Sequence, residues 1–492
     1  MTFTDYVFEF SSKHNKTSVI FNNEISFKEI FKNVNKRATF IKTKGLSKKD
    51  AVLLVSANSA FFIENYFAII KSGAICVPIN PDLNSNQIKY IIDSLSIKLI
   101  FTQKKFAFKI EQLVCDDVDI YTEHSEYNFT SEEESNYNVD INIEEDVAVI
   151  LFTSGSTGNP KGVMLTHFNL MCNTNSIIEY LSLTKHDRVE MVLPFYYCYG
   201  TSILHTHFRV GGSIVINNKF MFPQTVIEDI NKYNCTGFSG VPSNYQILLR
   251  MTDIKSSKLP SLRYITQAGG KLPEVFIKEL IEILKGVDIF IMYGQTEATS
   301  RLSYLPPHLI NKKMNSIGKG ISGTELVVLN GEGKIVKPGE IGEIAARGGN
   351  IMKGYFNDIS ETAKVIKNGY LYTGDLAKVD DEGYIYIVSR EKNIIKSGGN
   401  RISPKEIENI ISQIPQVVEC AVIGVYDDIL GEAVKAFVVL IENKFNIDYK
   451  YISNFCKKQL PSYKVPRYIE FIKELPKNSS GKVLLKKLKD IK

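Results

Sequence analysis

Val147-Ala148-Val149-Ile150-Leu151-Phe152 runs directly into Thr153-Ser154-Gly155-Ser156-Thr157-Gly158-Asn159-Pro160-Lys161-Gly162, and this join decides how the chain is read. The first six residues are an unbroken apolar run with the length of a buried strand. The ten that follow offer hydroxyls, glycines and one lysine, which suits a loop that cradles a polyphosphate. Glycines let backbone N–H groups reach phosphate oxygens without a Cβ in the way. Hydroxyls add donors, and the lysine sets a positive charge near the leaving phosphates. A P-loop NTPase fails on order: its Gly-Lys-Ser/Thr opens a helix, whereas Lys161 follows Pro160 and leads into the strand-like 162–165. Standing alone, the loop would read as a Ser/Gly-rich surface turn.

Working outward, short apolar runs recur at 51–55 (AVLLV) and 98–101 (KLIF), alternating with helical patterns at 61–71 and 85–95. This alternation predicts an α/β domain with buried sheets. From about Ser303 the texture changes to short strands with Gly-rich turns (ELVVLNGEGKIV, GEIGEIAARG, GYIYIVSR), a β-rich portion ending near Arg390, where a domain edge is expected. The last hundred residues read helix (404–412), strand (419–424), strand (433–440) and helix (449–458), a small α/β unit of its own.

With 492 residues, 44% hydrophobic and 23% charged, the chain can bury a large core divided into about two to three compact units. Lys and Arg total 59 against 54 acids, a net charge of +5 that gives little reason to expect nucleic acid as a partner. The basic run 482–492 reads as a solvated terminal helix. Seven scattered cysteines with no CxxC pair argue against a disulfide framework and a zinc site. The N-terminus lacks the apolar core of a signal peptide, and the most apolar stretch, 61–78, is broken by Glu64 and Lys71. A cytoplasmic enzyme with reduced thiols and no integral membrane segment is expected.

Further along stand Tyr293-Gly294-Gln295-Thr296-Glu297, then Tyr372-Thr373-Gly374-Asp375, then Arg390 with Lys396-Ser397-Gly398-Gly399, and last Pro476-Lys477-Asn478-Ser479-Ser480-Gly481-Lys482. With 153–162, and in this order, these segments resemble the motifs of the adenylate-forming superfamily, which includes acyl-CoA synthetases, peptide-synthetase adenylation domains and firefly luciferase. They span essentially the whole chain. The resemblance is closest in type to AMP-dependent acyl-CoA or acyl-carrier-protein ligases. It implies a large N-terminal adenylation domain over 1–391 and a small mobile α/β domain over 392–492, hinged at Lys392.

The implied reaction joins a carboxylic acid to AMP using ATP and Mg²⁺, releases pyrophosphate, and passes the acyl group to a thiol, of CoA or of a carrier protein's phosphopantetheine. Both the acid and the α-phosphate are anions, so cations must offset their repulsion. By resemblance, ATP binds Thr153, Ser154, Gly155, Ser156, Thr157, Gly158 and Lys161, then Gly269 and Gly270 beside the adenine, and Tyr293, Gly294 and Gln295. Asp375 and Arg390 match the ribose ligands, Thr296 an α-phosphate donor, and Glu297 the carboxylate that holds Mg²⁺. Lys482 matches the lysine that reaches the acid and the α-phosphate. Removing such a preorganised donor should cost roughly 100- to 1000-fold in rate, about 3 to 4 kcal/mol. Out of context Glu297 reads as a helix-start acid, Asp375 as an Asx-turn and Lys482 as a surface lysine.

Lys396, Gly398 and Gly399 match the face used for thiol transfer, the glycines admitting a narrow pantetheine arm. Around the acid, Tyr197 stands where many acyl- and aryl-CoA ligases carry His, and Gly200 and Gly240 belong to the same neighbourhood. No Asp occurs in 193–200 to pair an α-ammonium, which favours an acid without an α-amine. With 238–242 and 300–305, a largely apolar and aromatic lining is expected, suited to an acyl or aryl group. Three alternatives stay open: a free-standing ligase loading a carrier protein, a luciferase-like oxygenase, and a non-catalytic nucleotide-binding protein. The presence of Glu297, Asp375, Arg390 and Lys482 speaks against the last.

Overall fold

The computed structural model describes residues 1–125, 139–153, 160–390, 393–441, 447–478 and 481–491. Two large sheets form the N-terminal domain. One orders its strands Lys319–Gly320, Ser303–Leu305, Asp288–Tyr293, Tyr264–Gln267, Gly237–Gly240, Arg188–Met191, Ser213–Ile216, Thr17–Phe21 and Asn23–Ser26, with a parallel centre. The other orders Gly354–Tyr355, Lys161–Thr166, Val147–Thr153, Ile75–Ile79, Ala51–Val55, Leu99–Thr102 and Asp119–Tyr121. The runs at 51–55, 98–101 and 147–152 are thus strands of one sheet.

The helix Ala60–Ser72 packs in a single core cluster with residues of both sheets. It is apolar on nearly every face because it is buried on nearly every face, which explains why 61–78 is so apolar. Ser59 caps it, its hydroxyl accepting from the Phe62 N–H at 3.1 Å. Its one buried acid, Glu64, is paired with Arg37 at 2.7 Å. Among the described residues, no helix is long and apolar enough to cross a membrane.

The β-rich portion is an antiparallel sheet of Thr324–Leu329, Ile341–Gly348, Tyr370–Val379, Ile366–Lys367 and Ile385–Arg390. The C-terminal unit carries its own sheet of Asn400–Ile402, Ile395–Ser397, Gly431–Leu440 and Val417–Asp427, with Tyr468–Phe471 parallel to Gly431–Leu440. Helices Pro404–Ile411 and Tyr449–Lys457 fall where the sequence places them, and their buried residues share one core cluster with the sheet. The hairpin 395–402 and the strand Tyr468–Phe471 are additions, too short and too mixed in polarity to announce themselves. The basic end does form a helix, Leu485–Lys489, but Leu488 is fully buried beneath it, so the segment is anchored to the core.

Candidate active site

Asp375 and Arg390 are cross-strand partners in the antiparallel pair of Tyr370–Val379 and Ile385–Arg390, and this register sets their side chains face to face. Arg390 Nε donates to Asp375 Oδ1 at 3.0 Å. The other carboxylate oxygen accepts from the Tyr293 hydroxyl at 2.7 Å. Tyr293 ends the strand Asp288–Tyr293, so residues far apart in sequence converge on one corner. Burial, and then the Asp375 charge, raise the Tyr293 phenol well above its ordinary value and keep it a hydrogen-bond donor.

Beyond Tyr293 the chain turns sharply. A Cβ on Gly294 would lie 1.9 Å from the Ser300 carbonyl, so only glycine fits. Thr299 is held at φ +63°, rare for a β-branched residue, with its hydroxyl donating to the Asn350 carbonyl at 2.6 Å. Within this turn Glu297 accepts from the Tyr355 hydroxyl at 2.9 Å, and the Thr296 hydroxyl points to Cys198 Sγ at 3.5 Å. Among the described residues no three His, Cys, Asp or Glu side chains converge as a metal cage. One carboxylate suits Mg²⁺, which takes most of its shell from phosphate oxygens and water.

Lys161 is paired with Glu361 and lies over the Tyr355 ring, 5.1 Å from its centroid, so its ammonium stands beside the Glu297 turn. Ser154, Gly155, Ser156, Thr157 and Gly158 lie outside the described residues, as does Lys392; Thr153 ends the preceding strand. Gly269, at φ +86°, and Gly270 form an exposed turn after the strand Tyr264–Gln267, held by Gln267 Nε2 donating to the Gly270 carbonyl at 2.7 Å. Gln295 precedes the 3-10 turn Thr296–Ala298.

Lys482 comes to this corner from the C-terminal unit. The Ser243 hydroxyl donates to the Gly481 carbonyl at 2.8 Å, tying the lysine's loop to the start of the helix Pro242–Met251. The loop is braced by the Lys482 N–H donating to Asn478 Oδ1 at 2.9 Å. Its charged neighbours are Arg390, Asp375 and Lys405. The side chain is open to solvent, yet protein atoms crowd around it. That crowding, and then Arg390, lower its ammonium below the ordinary lysine value. Lys396, Gly398 and Gly399 are held from within the C-terminal unit: the Gly398 N–H donates to the Leu430 carbonyl at 2.9 Å and the Lys396 N–H to Glu432 Oε2 at 2.6 Å. The structure therefore brings Lys482 to the Asp375 corner and leaves the glycine turn on its own hairpin.

Tyr197 is the residue before the helix Cys198–Val210. Gly200 lets that helix start close to the preceding chain, since a Cβ there would lie 2.0 Å from the Pro194 carbonyl. Gly240 ends the strand Gly237–Gly240. Between this helix and the strands lies a small cavity. Its wall is mainly apolar, with Tyr199, Ser239, Thr266 and Arg301 standing among the aliphatic residues. The Thr299 turn carries 300–301 inward, leaving Arg301 only 2% exposed. Sequence reading missed Arg301, Tyr355 and Glu361. A charge inside 300–305 was the available signal for the first, and nothing local marks the other two.

The AMP-binding enzyme family model matches residues 9–356, and the model of the AMP-binding enzyme C-terminal domain matches 406–482. A long-chain-fatty-acid–CoA ligase of Bacillus subtilis (strain 168) is 30% identical over 514 residues, covering 96% of this chain and 91% of that one. A feruloyl-CoA synthase of Amycolatopsis sp is 30% identical over 462 residues, covering 94% and 92%. The solved structure of an anthranilate CoA ligase in complex with anthranoyl-AMP superposes with a TM-score of 0.91 at 27% identity, covering 100% of this chain and 97% of that one.

Proposed function

The chain belongs to the AMP-binding enzyme family, and from that premise we propose how its own residues divide the work of an AMP-forming acid:CoA ligase. The reaction activates a carboxylic acid with ATP to an acyl-adenylate, releasing pyrophosphate, and then forms the CoA thioester with release of AMP. The observation that carries the residue assignment is the meeting of Lys482 with the Tyr293–Asp375–Arg390 corner across the boundary between the two domains.

In this reading Asp375, held by two donors, accepts from the ribose hydroxyls, and Tyr293 flanks the adenine beside Gly269 and Gly270. Lys161 exchanges Glu361 for a phosphate, and Thr153 through Gly158 wrap the remaining phosphate oxygens. Glu297 would hold Mg²⁺, which would supply charge neutralisation of the triphosphate. Thr296 donates to the α-phosphate. Lys482 lies where it offsets the repulsion between the acid and that phosphate, a contribution that grows as water leaves the cleft. Once the adenylate exists, the unit 392–492 swings about Lys392 and presents Lys396, Gly398 and Gly399 to the arriving thiol. That glycine turn already stands on a separate hairpin, which suits a role in the second step.

The protein works in the cytoplasm on a small-molecule acid and on CoA, with a carrier protein's phosphopantetheine as the competing acceptor. A panel of carboxylic acids with ATP and Mg²⁺, read by pyrophosphate release, tests the activity. Release with one acid class and stimulation by CoA are expected. Silence with CoA but thioester on a purified holo-carrier protein would overturn the choice of acceptor.

A further inference from the structure

Arg301 is a charge for which the chemistry above has no use. A guanidinium buried without a carboxylate is costly, because it loses hydration and gains no Coulomb partner. Two mostly buried arginines elsewhere do have one: Arg37 holds Glu64 at 2.7 Å and Arg250 holds Glu279 at 2.8 Å. Arg301 Nε donates to the Tyr180 hydroxyl at 3.1 Å, and its plane lies over the Tyr199 ring at 4.8 Å. Among the described residues, no carboxylate forms an ion pair with it. Its backbone is locked: the Arg301 carbonyl accepts from Asn173 Nδ2 at 3.1 Å and from Asn350 Nδ2 at 2.8 Å. The side chain is therefore placed in the cavity wall by the same turn that places Thr296 and Glu297.

The cavity around it has one sign of charge. His207, also in the wall, is neutral: Nδ1 donates to the Ile203 carbonyl at 2.9 Å, Nε2 accepts from the Tyr264 hydroxyl at 2.9 Å, and burial pulls its pKa down to about 4. Among the described residues, Arg301 is then the only charged one in the lining. Beside it runs a hydroxyl chain, with Tyr199 Oη 2.8 Å from Thr266 Oγ1 and Thr266 Oγ1 2.8 Å from Ser239 Oγ. The wall reaches the reacting end through Ser300 Oγ to Ser202 Oγ at 3.3 Å and Thr296 Oγ1 to Cys198 Sγ at 3.5 Å. An alkyl end packs on the aliphatic part of the wall but leaves the cation unpaired; an anionic end gains a charge-assisted pair in low dielectric.

We infer that this cavity selects a short carboxylic acid carrying a second anionic group, and that Arg301 is the specificity residue that pairs with that group. The inference rests on the ligase reading: the reacting carboxylate stays with Thr296 and Lys482, and only the distal end of the acid meets Arg301.

The test pairs acids of equal carbon number, succinate against butyrate and glutarate against pentanoate, in ATP-, Mg²⁺- and CoA-dependent pyrophosphate release by the full chain. The wild type should prefer the dianion by at least roughly 100-fold in kcat/KM, and in Arg301→Met the dianion-to-monoanion ratio should fall to near one. Arg301→Lys should restore part of it. Wild-type preference for the monoanion overturns the inference while leaving the ligase reading intact, as does selectivity unchanged in Arg301→Met. Release with no acid of any class sinks both. If Arg301→Met does not fold, as judged by its melting curve, the wild-type ratio alone decides.

Discussion

The Asp375 corner, proposed for the ribose, and the Arg301 cavity, proposed for the acid, are built in opposite ways. At the corner a carboxylate, Asp375, already has two protein partners before any ligand arrives. In the cavity a cation, Arg301, has a hydroxyl and a ring but no counter-charge. A preorganised acceptor suits a ligand common to every turnover, since its geometry costs nothing at binding. An unsatisfied charge suits a choice among ligands, because the wrong one leaves it unpaired. On the proposed assignment the protein keeps its nucleotide site finished and its acid site conditional.

That contrast can be broken at the corner. Asp375→Ala removes the shared acceptor and leaves Arg390 and the Tyr293 hydroxyl without it, so KM for ATP should rise roughly 100-fold, as expected for loss of hydrogen bonds to a charged group. Steady-state kinetics at saturating acid checks this. Tyr293→Phe keeps the ring and deletes one donor; a rise of about tenfold in the same KM is expected. An unchanged KM in that variant would mean that Arg390 alone positions the carboxylate.

The smallest effect should come from Glu361→Gln. Lys161 and Lys364 draw the Glu361 carboxyl down to about 2, so it is ionised throughout the working pH range and competes with phosphate for Lys161. Partly exposed pairs of this kind are weak. Freeing Lys161 should therefore lower KM for ATP only about threefold, and a rise instead would show that Glu361 holds the lysine in its productive position.

The same contrast explains what the sequence could and could not announce. Recognition of a triphosphate and a ribose uses glycines, hydroxyls and a few charges at fixed offsets, and 153–162, 293–297 and 372–375 display them openly. The buried strands at 51–55, 98–101 and 147–152 were legible for a related reason, since an unbroken apolar run needs two covered faces. The cavity proposed for the acid is spread over two helices, three strands and a turn, with no local spacing to mark it. Ser239, Thr266 and Arg301 are 27 and 35 residues apart and meet only in the folded cavity. The left-handed Thr299 that turns Arg301 inward carries no signature either, since a β-branched residue is the last one expected there. The pairing of Lys161 with Glu361 crosses 200 residues and is equally invisible to a linear reading.

The most direct test of the account is Lys482→Ala assayed on each half-reaction separately. Acid- and ATP-dependent pyrophosphate release should fall by about 100- to 1000-fold, while thioester formation from supplied acyl-adenylate and CoA stays near the wild-type rate, because the lysine that meets the Asp375 corner serves only adenylate formation. Equal loss of both halves would contradict the assignment and place Lys482 in a structural role common to the two steps.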